Sequence, residues 1–333
     1  MKNKLLLTTA IAGLTAISGI ANAETKVSGN LEQTFKAGSV DGGSSSGRAL
    51  GAEYNIGLSN STDLNNGLKA SFGFNIESNQ NGTAADTGMT DSHYLTISGE
   101  MLSLSIARDN GQNLSSTVVP HISDQAGTVV DGSSFENVGS VDGHNYDHVR
   151  LDAKVAGGTL TLRYAPDNGA TQIGHSEIVD TGQSQQEIIY SGSLGVDGLS
   201  LQAGISKEDA ASSADVDQKF QKYGVAYNFG QFAIGVQTLK DESGTVASKV
   251  EYTQDKVGAT FAINDSLSVG INYQETEKKT AGVKSALDEE TVMIGVGYSL
   301  GGVAIDINYA EVDNLANATG DAEFFQIRTI QKF

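Results

Sequence analysis

From Lys26 to Phe333 apolar and polar side chains change places at nearly every step. Val27, Gly29, Leu31, Gln33 and Phe35 share one parity, and Lys26, Ser28, Asn30, Glu32, Thr34 and Lys36 the other. Leu50, Ala52, Tyr54, Ile56 and Leu58 repeat the pattern, as do Ala70, Phe72, Phe74 and Ile76. Successive side chains of a strand leave on opposite faces, so alternation sustained over eight or more residues predicts β-structure and leaves no room for an amphipathic helix. Further runs at 93–97, 102–106, 149–155, 160–164, 188–194, 199–205, 223–229, 232–236, 250–263, 267–273, 292–300, 303–309 and 325–333 bring the expected number to about sixteen strands. In the last run Phe325, Ile327, Thr329 and Phe333 share a face, and Phe324, Arg328, Ile330 and Lys332 carry other parities or polar groups.

The connections alternate in length. Long polar segments at 38–48, 79–90, 109–145, 166–184, 207–218, 240–247, 276–289 and 313–321 separate hairpins closed by short turns such as Gly157-Gly158, Asp197-Gly198, Gly230 and Gly301-Gly302. Glycine and Asp-Gly suit the positive φ of two- and three-residue turns. One end of the sheet therefore holds tight turns and the other long loops.

Two readings fit an all-β chain of this kind, a soluble sandwich and a closed barrel. The polar faces are filled with Ser, Gly, Asn, Gln and Thr rather than the Lys and Glu that normally solvate a sandwich, and the two ends differ in loop length. The first residues add an address: Lys2 and Lys4 precede a broken apolar run, and Ala21-Asn22-Ala23 supplies a small-x-small cleavage pattern. Residues 1–23 are expected to be a cleaved signal peptide and 24–333 the folded domain. An exported chain with an even number of strands, apolar on one face, fits a transmembrane β-barrel of the outer membrane. Hydrocarbon offers no water to a free sheet edge, so the sheet must close, and about ten residues cross at a tilt. Tyr54, Tyr164, Tyr190, Tyr227, Phe229, Phe232, Tyr273, Tyr298 and Tyr309 are candidates for the interfacial girdles.

The absence of cysteine excludes disulfides and thiolate chemistry. A formal charge of −19 argues against nucleic acid as a partner. The string GSSSG at 43–47 matches a nucleophile elbow without the helix that should follow it. His144 and His148 are four apart but not on a helix, so no metal is expected there. Neither a catalytic group nor a cofactor is expected, and an outer-membrane hydrolase is the disfavoured alternative.

Three stretches carry a family resemblance: DLNNGLKASFGFNIE at 63–77, SGEMLSLSIARDNG at 98–111 and HNYDHVRLDAKVAGGTLTLRYA at 144–165, together with the terminal Phe333. The chain resembles the general bacterial porins of Gram-negative outer membranes, the sixteen-stranded type, although it lacks their acidic-glycine signature in the third loop. The resemblance implies a sixteen-stranded antiparallel barrel whose longest loop, 109–145, folds inward and narrows the lumen. It implies a homotrimer, partners in outer-membrane lipid, lipopolysaccharide and the barrel assembly machinery, and a role for Phe333 as assembly signal. The implied activity is passive diffusion of small hydrophilic solutes and ions; a substrate-selective channel with a binding ladder in the lumen is the alternative.

Within that frame, parity points Arg150 and Arg163 inward on neighbouring strands, with Lys69 farther along the wall. Arg108 has the parity of Leu102, Leu104 and Ile106, so a bulge is needed to turn it inward. The loop supplies Asp124, Asp131, Glu136 and Asp142 as candidate pore-lining acids. Acids and bases facing each other across a constriction would create a transverse field that orients polar solutes. The loop acids favour cations and the arginines anions, which leaves ion preference open.

Overall fold

A computed structural model describes residues 24–41, 47–64, 66–80, 92–108, 110–112, 114, 116–122, 147–166, 183–315 and 320–333. Long antiparallel strands account for most of them. They are β1 (Glu24–Val40), β2 (Gly47–Asp63), β3 (Lys69–Gln80), β4 (His93–Ser98), β5 (Leu102–Arg108), β6 (His148–Val155), β7 (Gly158–Ala165) and β8 (Gln185–Gly192). The second half comprises β9 (Leu199–Glu208), β10 (Gln218–Phe229), β11 (Phe232–Thr245), β12 (Ser248–Ala262) and β13 (Leu267–Thr280), then β15 (Glu289–Leu300), β16 (Val303–Asp313) and β17 (Ala322–Lys332). A two-residue strand, β14 (Val283–Lys284), belongs to the connection after β13 and pairs only with it. Each long strand pairs with its neighbours in sequence, and β1 pairs with both β2 and β17, so the described residues form one closed antiparallel ring of sixteen long strands.

Closure follows from the alternation. On β5, Leu102, Leu104 and Ile106 stand exposed on the outer face, the last at 58%, while Ser105 and Ala107 are buried on the inner one. Ile188, Ile205, Tyr223, Ile234, Val236, Ile271, Val292 and Ile294 continue the exposed apolar surface around the ring. With apolar groups outside, the buried interior is largely amides and hydroxyls, including Gln185, Gln202, Gln237, Gln254, Asn272, Gln274, Asn308 and Gln326. At the tight-turn end Phe229 and Phe232 flank Gly230, whose φ of 74° makes the turn, and their rings stack at 5.6 Å. Tyr227 and Phe261 extend this aromatic row, with centroids 6.1 Å and 4.5 Å from Phe229 and Phe232.

Two expectations about connections change. The segments at 240–247 and 276–289 are mostly strand: β11 pairs with β12 up to Thr245 and Ser248, and β13 runs to Thr280. The apolar alternation stops where the hydrocarbon-like band stops, but the ladder continues with charged side chains such as Lys249, which bridges Glu242 at 2.9 Å and Glu251 at 2.7 Å. Strand β8 also ends at Gly192, short of Leu194, which takes a left-handed φ of 51° in the turn.

Candidate functional site

The third long connection leaves β5 after Arg108 and returns at β6, and its described residues lie inside the ring. A row of wall side chains grips the backbone of this loop. Arg150 on β6 donates to the Asn110 carbonyl, and also to Asn110 Oδ1 at 3.3 Å. Arg163 on β7 donates to the Gln112 carbonyl. Lys222 on β10 donates to the carbonyls of Leu114, at 2.9 Å, and of Ser116. On β11, Gln237 Oε1 accepts from Val118 N at 3.1 Å and Thr117 Oγ1 at 3.2 Å, and on β13 Asn272 Nδ2 donates to the Pro120 carbonyl at 2.6 Å. Each strap sits at an inward position of a strand, so the alternation that makes the wall also aims the straps.

The cations are themselves held. Arg150 Nε donates to Asp152 Oδ2 at 2.9 Å and its Nη2 to Ser105 Oγ at 3.4 Å, while Thr161 Oγ1 binds Asp152 Oδ1 at 2.6 Å. Arg163 is paired with Glu187 of β8, both side chains 1% exposed. Charged hydrogen bonds contribute about 1.5–3 kcal/mol each, and the buried ion pair is supported on the Arg163 side by the further bond to the Gln112 carbonyl.

Apolar seats complete the attachment. Leu114 is fully buried against Ile189, Phe220 and Leu239, all on the inner face. Val119 is buried among Met293, Ala310, Val312, Ala322 and Phe324. The inner face is therefore not uniformly polar, as the alternation alone suggests; it is apolar where the loop covers it. Burying a side chain such as Leu or Val favours the seated loop by roughly 1.5–3 kcal/mol.

The other expected positions are distributed differently. Lys69 has inward parity at the tight-turn end of β3, exposed, in register with Asp63 and Ser98. Arg108 meets His93 in an uninterrupted antiparallel register, so the expected bulge does not occur and Arg108 keeps the outward parity of its strand. His93 in turn lies 3.3 Å from Asp147 at this rim. Asp124, Asp131, Glu136 and Asp142 lie outside the described residues, as does His144. His148 is buried on the inner wall. Among the described residues no group of three or more His, Asp or Glu is placed to hold a metal ion. Lys222, Gln237 and Glu187 become identifiable by parity only if the strands are extended past the apolar runs, whereas Asn272 lies inside the run 267–273 with nothing in its residue type to mark it as a strap.

Away from the loop, Arg328 on β17 reaches Asp306 of β16 at 3.1 Å and Glu32 of β1 at 3.8 Å. This acid–base group lies across the seam where the ring closes.

Solved structures with the same architecture include OmpT, an outer membrane protein of Vibrio cholerae. It is 13% identical, with a TM-score of 0.64 over 93% of this chain and 99% of that one. An anion-selective porin from Comamonas acidovorans is 14% identical, with a TM-score of 0.62 over 94% of this chain and 100% of that one. No curated protein sequence matches the chain. The family model of Gram-negative porins matches residues 8–318. With a closed ring that is apolar outside and polar inside, and a loop fastened within it, the chain belongs to the Gram-negative porin family and forms an outer-membrane channel.

Proposed function

We propose that this porin is a passive diffusion channel for small hydrophilic solutes and ions, driven by their gradients and without catalysis. The observation that carries the reading is that the described part of the third loop is strapped by its backbone to the inner wall of a ring that is apolar outside, which supports a loop that narrows a polar lumen. Hydroxyls and amides on the inner wall exchange hydrogen bonds with passing water and solute without holding either tightly, as conduction requires.

In this reading Arg150 and Arg163 belong to the constricted section as the fasteners of its loop, and Lys69 lines the tight-turn mouth. Asp124, Asp131, Glu136 and Asp142 face solute from the loop. Residues 1–23 are removed on export through the periplasm, Phe333 marks the chain for the assembly machinery, and three copies associate in lipid and lipopolysaccharide. A trimer form is named for OmpT of Vibrio cholerae, which supports that last point by likeness of fold.

The test is conductance in a planar lipid bilayer. Passive diffusion predicts current that rises in proportion to salt and is not blocked in saturable fashion by any one sugar, amino acid or phosphate. Saturable block by a single solute would replace it with a channel carrying a dedicated binding ladder. Reversal potential under a salt gradient gives the ion preference.

A further inference from the structure

Between the side chains that seat and strap it, the loop lies close to the wall where wall residues lack side chains. On six strands the inward residue under the loop is glycine: Gly204 on β9, Gly224 on β10, Gly235 on β11, Gly258 on β12, Gly270 on β13 and Gly295 on β15. Two pairs of these, Gly235 with Gly258 and Gly270 with Gly295, are direct partners across the ladder. Glycine weakens a strand interior and a glycine–glycine pair offers nothing to pack, so such a cluster calls for a close approach by something else. Here that is the loop. A Cβ on Gly204 would lie 2.5 Å from Leu114 Cδ2, and one on Gly235 would lie 2.7 Å from Pro120 Cδ. On Gly258 it would press first on Asn272 Nδ2, the strap to Pro120, and then on the Pro120 carbonyl at 2.5 Å and Val119 Cγ1 at 2.6 Å; on Gly295 it would meet the wall's Asn308 Oδ1 first and then Ile122 Cβ at 2.7 Å. On Gly224 it would collide with Val118 Cγ1, while the next neighbour, Gln237 Cβ, is 3.4 Å away.

Side-chain ends such as Leu114 Cδ2 can turn aside, but the loop partners at Gly224, Gly235 and Gly258 have little freedom to do so. A carbonyl oxygen, a proline ring and a Cβ cannot swing away, and valine is stiff at χ1. A methyl at those wall positions therefore presses the loop away from the wall, toward the interior of the ring.

We propose that this glycine trough determines the bore of the channel, and so the size of solute admitted, by fixing the depth at which the third loop lies. The inference rests on the channel reading above and deepens it.

The experiment measures single-channel conductance in potassium chloride and the swelling of liposomes in sugars of increasing size. Gly224→Ala and Gly258→Ala should each lower conductance by about 1.5-fold, as expected of a narrowed pore, and exclude the largest sugar that wild type admits. Val118→Ala combined with Gly224→Ala adds one methyl to the wall and removes two from the loop, Cγ1 among them, and should restore both readings. Gly57→Ala serves as control, because it lies on the inner face of β2, where an added Cβ meets only Ser28, with Oγ at 3.0 Å. It should conduct as wild type.

Conductance is read per inserted channel, so a poorly folding variant reduces only the number of events. The inference fails if Gly224→Ala and Gly258→Ala conduct like wild type or better, or if Val118→Ala does not restore Gly224→Ala. A wild-type protein that carries no current would instead sink the channel reading, and this inference with it.

Discussion

Phe333 and Gly29 exchange both backbone hydrogen bonds, Gly29 N to Phe333 O at 3.1 Å and Phe333 N to Gly29 O at 3.0 Å, and the phenylalanine ring covers the bare Cα of the glycine. This is the last pair of the seam that joins the end of the chain to its first strand. A Cβ on Gly29 would fall 2.9 Å from Phe333 Cε1, with Cζ closer still. Gly29→Val should therefore unseat the ring and weaken the seam, and Phe333→Ala should remove the cover from the glycine at a cost of about 1 kcal/mol, the scale of a cross-strand pair. Thermal unfolding in detergent should fall for both variants. If Phe333 is also the assembly signal, Phe333→Ala alone should reduce the amount of barrel in the outer membrane severalfold, beyond its effect in detergent.

Arg163 and Glu187 form a pair that does not tolerate the loss of one member. Arg163→Met leaves Glu187 charged and buried on the inner wall, a loss of about 3–5 kcal/mol, while Arg163→Met with Glu187→Met should recover most of it. Chemical denaturation of wild type and the two variants measures the difference. Both variants lack the bond to the Gln112 carbonyl, so both should show noisier open-channel current.

Lys222 holds two loop carbonyls, those of Leu114 and Ser116, from a fully buried position. Lys222→Met should lose about 1.5–3 kcal/mol for each charged bond. Limited proteolysis should then cut within 110–122, where the wild-type protein should resist cleavage.

How far the sequence reveals all this depends on which force each feature answers to. The strands of the wall were legible because hydrocarbon on one side and water on the other impose a period of two, as Leu102, Leu104 and Ile106 demonstrate against Ser103 and Ser105. The same rule aimed Arg150 and Arg163 inward. It says nothing about what an inward side chain meets, so the carbonyls of Asn110 and Gln112 were invisible, and the guanidinium charges were expected in open water. It also stopped short of Lys222 and Glu187, which lie just past the apolar residues of β10 and β8. The inward phenylalanines Phe220 and Phe324 break the polar-inside pattern, and only the seated loop explains them.

The tall hairpin of β13 and β15 stands beyond the apolar band and depends on charge. Glu277 is held down to about 2 by hydrogen bonds from Lys279 and Lys284, at 2.6 Å each. A depressed carboxylate favours the folded hairpin above its ordinary value of 4.5, and that contribution fades as pH falls toward about 2. Amide exchange at 277–285 should therefore quicken below pH 4, while the exchange of 267–273 does not. Because these groups face water, high salt should weaken the same contacts at neutral pH.

The straps at Asn110, Gln112 and Ser116 take hold of carbonyl oxygens, an atom that all twenty amino acids possess. Mutation at those three places keeps the carbonyl bonds and gives up only the side-chain ones, from Arg150 to Asn110 Oδ1 at 3.3 Å and from Thr161 Oγ1 to Gln112 Oε1 at 3.4 Å. The side chains along this segment can thus drift one codon at a time while its anchorage to the wall is inherited intact.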